Sequence, residues 1–222
     1  MANFRAIALI VAGFLTCCGH PQAPQAPKDA QILESFAYFP MEIGHKWTYG
    51  AKEGPDVVFE VVGKESVNGI ECFKTLRTVA DEVTPFYVSL SRQGLMIHRV
   101  ANEDYHPPFL EFAFPITEPE AAGRTWSGMI GERMYEIRTR NTGSETVALP
   151  SGPVDAISVS ERMEHGRRVE GEDKTVIDAS LSTHFWIVRD FGVVKLIGKE
   201  RDPHNPSNRE FDWTLKSFRR TR

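Results

Sequence analysis

The Asn68-Gly69 dipeptide constrains this chain most, because it lies between two runs rich in β-branched and aromatic residues, Asp56 to Val62 and Ile70 to Leu76. A two-residue type I′ turn needs φ above zero at both central positions, which Asn and Gly tolerate best, so the sequence predicts a tight β-hairpin. That loop pairs Val67 with Ile70, Glu65 with Cys72 and Val61 with Leu76. Side chains along a strand alternate between faces, so each pairing commits the rest of its strand to one side of the sheet.

The same grammar recurs along the chain. Phe86, Val88 and Leu90 alternate with Tyr87, Ser89 and Ser91, and Gln93-Gly94 turns the chain into Leu95 to Val100. Leu110, Phe112, Phe114 and Ile116 repeat the pattern. Further runs cover 133–142, 145–149, 154–162, 174–177, 184–188, 193–199 and 209–218. In the last, Phe211, Trp213 and Leu215 alternate with Glu210, Asp212, Thr214 and Lys216, the mark of a strand with one dry face. No run of ten or more residues carries a 3.6-residue period, and only short helical turns are expected, at 31–35 and 118–122. The reading is a single antiparallel, all-β or β-dominated domain over residues 32–222, with few short helices. A chain of 222 residues, 41% hydrophobic, can fill one such core, and no second linker divides it. The net charge of −4 lacks the basic excess of a nucleic-acid binder, so nucleic acid is not an expected partner.

The amino terminus has a different composition. Arg5 precedes an apolar run of eleven residues, Ala6 to Thr16. That length suits the core of a signal peptide, about 7–15 residues, and falls short of the roughly 20 that span a bilayer. Residues 1–17 are therefore read as a signal peptide. Leu15-Thr16-Cys17-Cys18-Gly19 resembles the lipobox of bacterial lipoproteins, and the register with Leu15 at −3 makes Cys18 the lipidated residue. Residues 18–31, with Pro21, Pro24 and Pro27 among Gln and Ala, read as the lipidated Cys and a Pro-rich tether, able to extend about 3 Å per residue. The expected location is the cell envelope, with acylated Cys18 held in membrane lipid. Gly19 in place of Asp implies the periplasmic side of an outer membrane if the envelope is Gram-negative.

Four further segments resemble a group of exported bacterial proteins with a TapB-like β-sheet domain of unknown function. They are Tyr38-Phe39-Pro40 with Gly44 and Trp47-Thr48-Tyr49; Gly123-Arg124-Thr125-Trp126; Glu145 to Ala156 around Pro150-Ser151-Gly152-Pro153; and Phe185-Trp186 with Phe191-Gly192-Val193-Val194-Lys195. Ser151, Val154 and Phe191 depart from the group's pattern, and Phe191 replaces a Gly, so position 191 is not expected to need φ above zero. The resemblance implies a single curved antiparallel sheet, a half-barrel like those of lipoprotein-carrier proteins; a β-sandwich is the alternative. It brings no catalytic residues. Trp47, Trp126 and Trp186 are expected in the core with partners for their indole N–H groups, and Gly192 in a tight turn.

Constellations with chemistry are sparse. The seven His are scattered, with no His-x-His, His-Glu-x-x-His or Cys-x-x-Cys, so no metal or cofactor is expected. His98, Glu103, Asp104 and His106 form the one dense group and read as a solvated loop beside Pro107-Pro108. No Gly-x-Ser-x-Gly elbow or phosphate-cradling loop occurs, and no catalytic residue is assigned. Cys72 reads as a small buried hydrophobe rather than a nucleophile. The sequence thus predicts a non-enzymatic binding or assembly factor, with an apolar ligand on a concave face or an envelope protein as partner. The alternatives are an exported hydrolase whose residues meet only in space, and a structural envelope module. An apolar cavity is the mark of the first reading; a deep pocket with a buried carboxylate of perturbed pKa is the mark of the hydrolase.

Overall fold

Asn68 and Gly69 adopt φ of 51° and 81°, and the hairpin they turn pairs Val67 with Ile70 and Glu65 with Cys72 as the type I′ loop requires. The computed structural model describes residues 36–114, 116, 123–168, 175–201 and 210–221, with only the backbone at 166–168 and 175–178. The signal peptide at 1–17, Cys18, the tether to residue 31 and the helical turns expected at 31–35 and 118–122 lie outside the described residues. A single turn of helix covers 36–38.

Twelve strands follow: β1 (Lys46–Ala51), β2 (Val57–Val67), β3 (Ile70–Val79), β4 (Glu82–Leu90), β5 (Gly94–Val100), β6 (Glu103–Ala113), β7 (Arg124–Ile130), β8 (Arg133–Leu149), β9 (Gly152–Arg168), β10 (Thr175–Val188), β11 (Gly192–Arg201) and β12 (Glu210–Arg219). Each pairs antiparallel with its neighbours in sequence, and β1 also pairs with β12, Trp47 opposite Phe218 and Tyr49 opposite Leu215. The sheet therefore closes into a barrel, which corrects the expected half-barrel or sandwich. Alternation within a strand fixes which side chains turn inward, but it carries no information about whether the first and last strands meet.

Bulges set the faces. Between Val61 and Gly63 the register of β2 against β3 slips by one, so Val61 opposes Thr75 and not the expected Leu76. The extra residue switches the face that β2 presents. Beyond it Val67 lies with Cys72 and Tyr87 in a small cluster separate from the main core, whereas Val57 and Val61 belong to that core. The runs expected at 133–142 and 145–149 are one strand, β8, bent by a bulge near Gly143, where φ is 111°.

Pro107 and Pro108, expected in a loop, stand inside β6. They offer no N–H to a neighbour. The ladder between β6 and β7 is short, with Tyr105 opposite Ile130 and His106 opposite Met129. Trp126 bridges the seam instead: its indole N–H donates to the Pro107 carbonyl at 3.1 Å, and its ring packs 5.7 Å from Phe109 and 5.9 Å from Tyr105.

One end of the barrel is stoppered by the segment before β1. The Asp190 N–H donates to the Ala37 carbonyl at 2.5 Å and the Gly44 N–H to the Val61 carbonyl at 2.7 Å. Tyr38, Phe39 and Met41 are buried there, and Phe39 stacks on Phe112 at 5.1 Å. Gly192, at φ 80°, opens β11 against this plug, 3.5 Å from the Tyr38 carbonyl to where a Cβ would stand. Asp190, not Phe191, takes the left-handed conformation in that turn.

Ion pairs dot the outer wall, among them Lys46–Glu60 (3.0 Å), Lys74–Glu65 (3.0 Å), Arg162–Glu164 (2.6 Å) and Lys216–Asp56 (2.6 Å). A barrel that crosses a membrane needs an apolar outer belt about 25 Å tall and a polar interior. Here ion pairs stand on the outer wall, and the interior has an aromatic floor. No helix among the described residues is long and apolar enough to cross a membrane.

Candidate functional site

Barrel width grows with strand number, and eight strands already leave an interior that side chains only just fill. Twelve leave more. The lumen holds a cavity of about 1300 Å³ above the plug. Its floor and lower walls are aromatic: Phe39, Trp47, Phe59, Phe86, Phe112 and Phe185. The polar ends of the floor residues are matched, since the Trp47 indole N–H donates to the Phe191 carbonyl and the Tyr49 hydroxyl to the Val193 carbonyl, each at 2.7 Å. Burial holds the Tyr49 hydroxyl well above the usual tyrosine range.

The walls above the floor differ. Thr75 and Arg77 enter the lumen from β3, placed there by the strand's own alternation. Arg77 donates through Nη2 to Thr84 Oγ1 at 3.1 Å, and its guanidinium lies 5.5 Å from the Phe86 ring centre. Lost solvation lowers its pKa, partly offset by the charge of Glu82. Glu161 enters from β9, on the same face as Ile157 and Val159, and is 8% exposed. Glu111 enters from β6 at a register shift between Phe112 and Leu110. Burial pushes the Glu111 carboxyl up to about 7, and burial together with the Glu111 charge raises Glu161 well above the carboxylate range. Two carboxyls in one poorly solvated space both resist ionisation more than exposed carboxyls do. Tyr105, from β6, is raised by burial and then by these acids.

Sequence reasoning missed all four wall residues, though signals for them exist. Gly63 inside a strand run marks a bulge. Glu161 occupies an apolar position in the alternation of β9.

The groups that the sequence singled out lie elsewhere. His98, Glu103, Asp104 and His106 belong to the β5–β6 hairpin, not to a solvated loop, because β6 begins at Glu103 and runs through the prolines. His98 is 3% exposed with Nε2 2.8 Å from Ser89 Oγ, while Asp104 pairs with Arg99. No group of three or more metal-ligating side chains occurs among the described residues. Cys72 is fully buried, and burial raises its thiol pKa. Trp186 lies half-buried, its ring 4.3 Å from His184 and 5.2 Å from the Lys195 ammonium.

One serine, histidine and carboxylate do converge. Ser158 Oγ lies 2.6 Å from His184 Nε2, and Glu145 Oε1 lies 3.6 Å from the same nitrogen. A nucleophilic triad needs the acid on the opposite ring nitrogen, where it orients the imidazole. Ser158 is also 2% exposed and shares its hydroxyl with Thr142 at 2.5 Å. This cluster braces the β8–β9–β10 wall.

No family model matches the chain, and no curated protein matches it. Two solved structures are similar in chain trace. One is a candidate lipoprotein from Parabacteroides distasonis, 13% identical, with a TM-score of 0.47, covering 82% of this chain and 98% of its own. The other is a candidate exported protein with a YmcC-like fold from Bacteroides fragilis, 14% identical, with a TM-score of 0.47, covering 83% and 99%. Likeness at that level assigns no role to this chain.

Proposed function

We propose that this protein is an exported lipoprotein, acylated on Cys18, whose barrel binds an apolar or amphipathic ligand in its lumen at the cell envelope. The observation that carries the reading is the cavity of about 1300 Å³, floored by aromatic side chains and stoppered at one end. Ligand sites are concave and mostly apolar with a few placed polar groups, and this lumen has that composition. The signal peptide at 1–17, the lipobox-like segment ending at Cys18, the tether at 18–31 and the resemblance to TapB-like exported proteins support the address. The chain enters the barrel at the stoppered end, so the mouth opens on the side away from the anchor.

The test is displacement of an environment-sensitive apolar fluorophore from the purified protein. Saturable binding, competed by long-chain amphiphiles and weakened by Phe86→Asp, is expected; absence of saturable binding rejects the reading. The address has its own test. Cys18→Ser should abolish fatty-acid labelling and release the protein from the membrane fraction, and a variant that still labels rejects Cys18 as the site.

A second reading rests on the Glu111–Glu161 pair. Two buried carboxyls of raised pKa facing one cavity are also the equipment of acid–base hydrolysis. Under that reading a bound ligand with a scissile bond is turned over, and Glu161→Gln abolishes product formation while binding persists.

A further inference from the structure

The lumen leaves polar groups of both signs unmatched on opposite walls. In a closed ring of twelve strands, β3 and β9 stand six strands apart in either direction. On β3, Thr75 is 6% exposed, and neither its Oγ1 nor Arg77 Nε has a hydrogen-bond partner among the described residues. On β9, Glu161 is 8% exposed, and its Oε2 is likewise unmatched. Glu111 joins it from β6, a quarter of the ring away.

A buried cation and a buried carboxylate offset each other's desolvation when they touch. Here they stand on opposite walls: the charge of Glu82 makes up part of Arg77's lost hydration, yet Arg77 Nε and Glu161 Oε2 each remain without a partner. Folding gains nothing from that arrangement, since apolar residues of similar size would serve the core at least as well. A ligand that brings a negative group to one wall and a positive group to the other resolves both deficits.

We infer that the lumen binds a zwitterionic amphiphile with a primary amine, its anionic group on Arg77 and Thr75 and its ammonium on Glu161 and Glu111. The inference deepens the ligand-binding reading and rests on it. Arg77 Nε–H and the Thr75 hydroxyl both donate to an anionic oxygen, as a phosphate or carboxylate would require. Glu161 Oε2 accepts, so the positive group must carry N–H donors, which a primary ammonium has and a trimethylammonium lacks. The hydrocarbon lies on Phe39, Phe112 and Phe185. A simple fatty acid satisfies only the β3 wall, and a simple alkylamine only the β9 wall.

The test compares three single-chain phospholipids of equal chain length on the purified protein: lysophosphatidylethanolamine, lysophosphatidylcholine and lysophosphatidylglycerol. A charge-assisted hydrogen bond in a desolvated site predicts that the ethanolamine lipid binds roughly tenfold or more tightly than the other two. Glu161→Gln is expected to bring the three within about threefold of each other, and Arg77→Met to weaken all three by about tenfold. Equal binding of the three lipids, or a preference that survives in Glu161→Gln, overturns the zwitterion assignment while the apolar-ligand reading stands. Failure of all three lipids and of the apolar fluorophore overturns both.

Discussion

The floor of the barrel and the walls above it are built from the same strands, yet they follow opposite rules. At the floor, polar atoms that enter the core are matched: Trp47 and Tyr49 each give their one donor to a carbonyl of the β10–β11 region. One step along the same ladders, Trp47 opposes Phe59 and Phe59 opposes Arg77, and there the matching stops. The floor spends its aromatics on packing and stability. The walls hold Thr75, Arg77 and Glu161 in states that cost folding energy. Positions that weaken a fold mark where a chain has been shaped for something other than folding.

Floor and wall variants should therefore move stability in opposite directions, and the largest effect belongs to the floor. Phe112 is 3% exposed, stacks on Phe39 at 5.1 Å and meets Phe185 edge-on at 5.2 Å. Phe112→Ala should cost about 3–5 kcal/mol, read as a lower urea midpoint at constant m-value. A cost below about 1 kcal/mol would show that the floor is not a packed core.

The next effect is a pH dependence that the walls impose. Burial pushes the Glu111 carboxyl from the ordinary 4.5 up to about 7, and burial with the Glu111 charge raises Glu161 as well. Between those values the unfolded chain has released protons that the native state keeps. Stability therefore falls as pH rises from about 4.5 to 7, by something on the order of 2 kcal/mol. Carboxyls stabilised by partners act in another window: Arg99 lowers Asp104, and Lys199 lowers Glu210, so their contributions vanish only as pH falls below the ordinary carboxylate range. His165 also lines the cavity, with its ring 5.1 Å from Tyr135, and Arg133 stands on the adjoining strand. For that reason the control is a variant and not pH alone. The Glu111→Gln, Glu161→Gln double variant should be flat between pH 5 and 8 where the parent slopes downward; an unchanged slope assigns it to other groups.

Smaller again is the single change Glu161→Gln at pH 8. It removes a buried acid that resists ionisation and has an unmatched oxygen, and it keeps the shape, so it should stabilise the protein by about 1 kcal/mol. Thermal midpoints with and without ligand separate the two roles of this residue, because the same substitution is expected to weaken the ligand's stabilising effect. A destabilised variant would mean that Glu161 is satisfied in the folded chain and that the walls resemble the floor.

The sequence made the strands legible and the lumen much less so. The Asn68-Gly69 turn was readable to the residue because φ above zero restricts the choice of side chain so strongly. The pairing of Val61 was not, because an extra residue in one strand costs little and shifts everything beyond it. That single slip decides that Thr75, and not Leu76, stands opposite Val61. Closure was out of reach for a different reason: β1 and β12 are separated by nearly the whole domain, and local periodicity carries nothing about so distant a pair. Glu161 was within reach, as an acid in the apolar register of β9 beside Val159. A strand with one charged residue in its apolar register still looks amphipathic, so alternation alone does not single it out. Ser158, His184 and Glu145 meet only through two strand registers, and single-chain patterns cannot show that.

The smallest expected effect is also the most direct measure of separation across the lumen. Arg77→Met removes a poorly solvated cation but also the hydrogen bond to Thr84 and the contact with Phe86, so its net cost should lie within about 1 kcal/mol of zero. Combined with Glu161→Gln in the absence of ligand, the two changes should add to within about 0.5 kcal/mol, because residues on opposite walls share no partner. With lysophosphatidylethanolamine bound they should not add, since one ligand then joins both walls. Additivity that persists with ligand would place the two charges in separate sites. Non-additivity without ligand would show that Arg77 and Glu161 already sense each other across the cavity, and that the barrel meets by itself the need here assigned to a ligand.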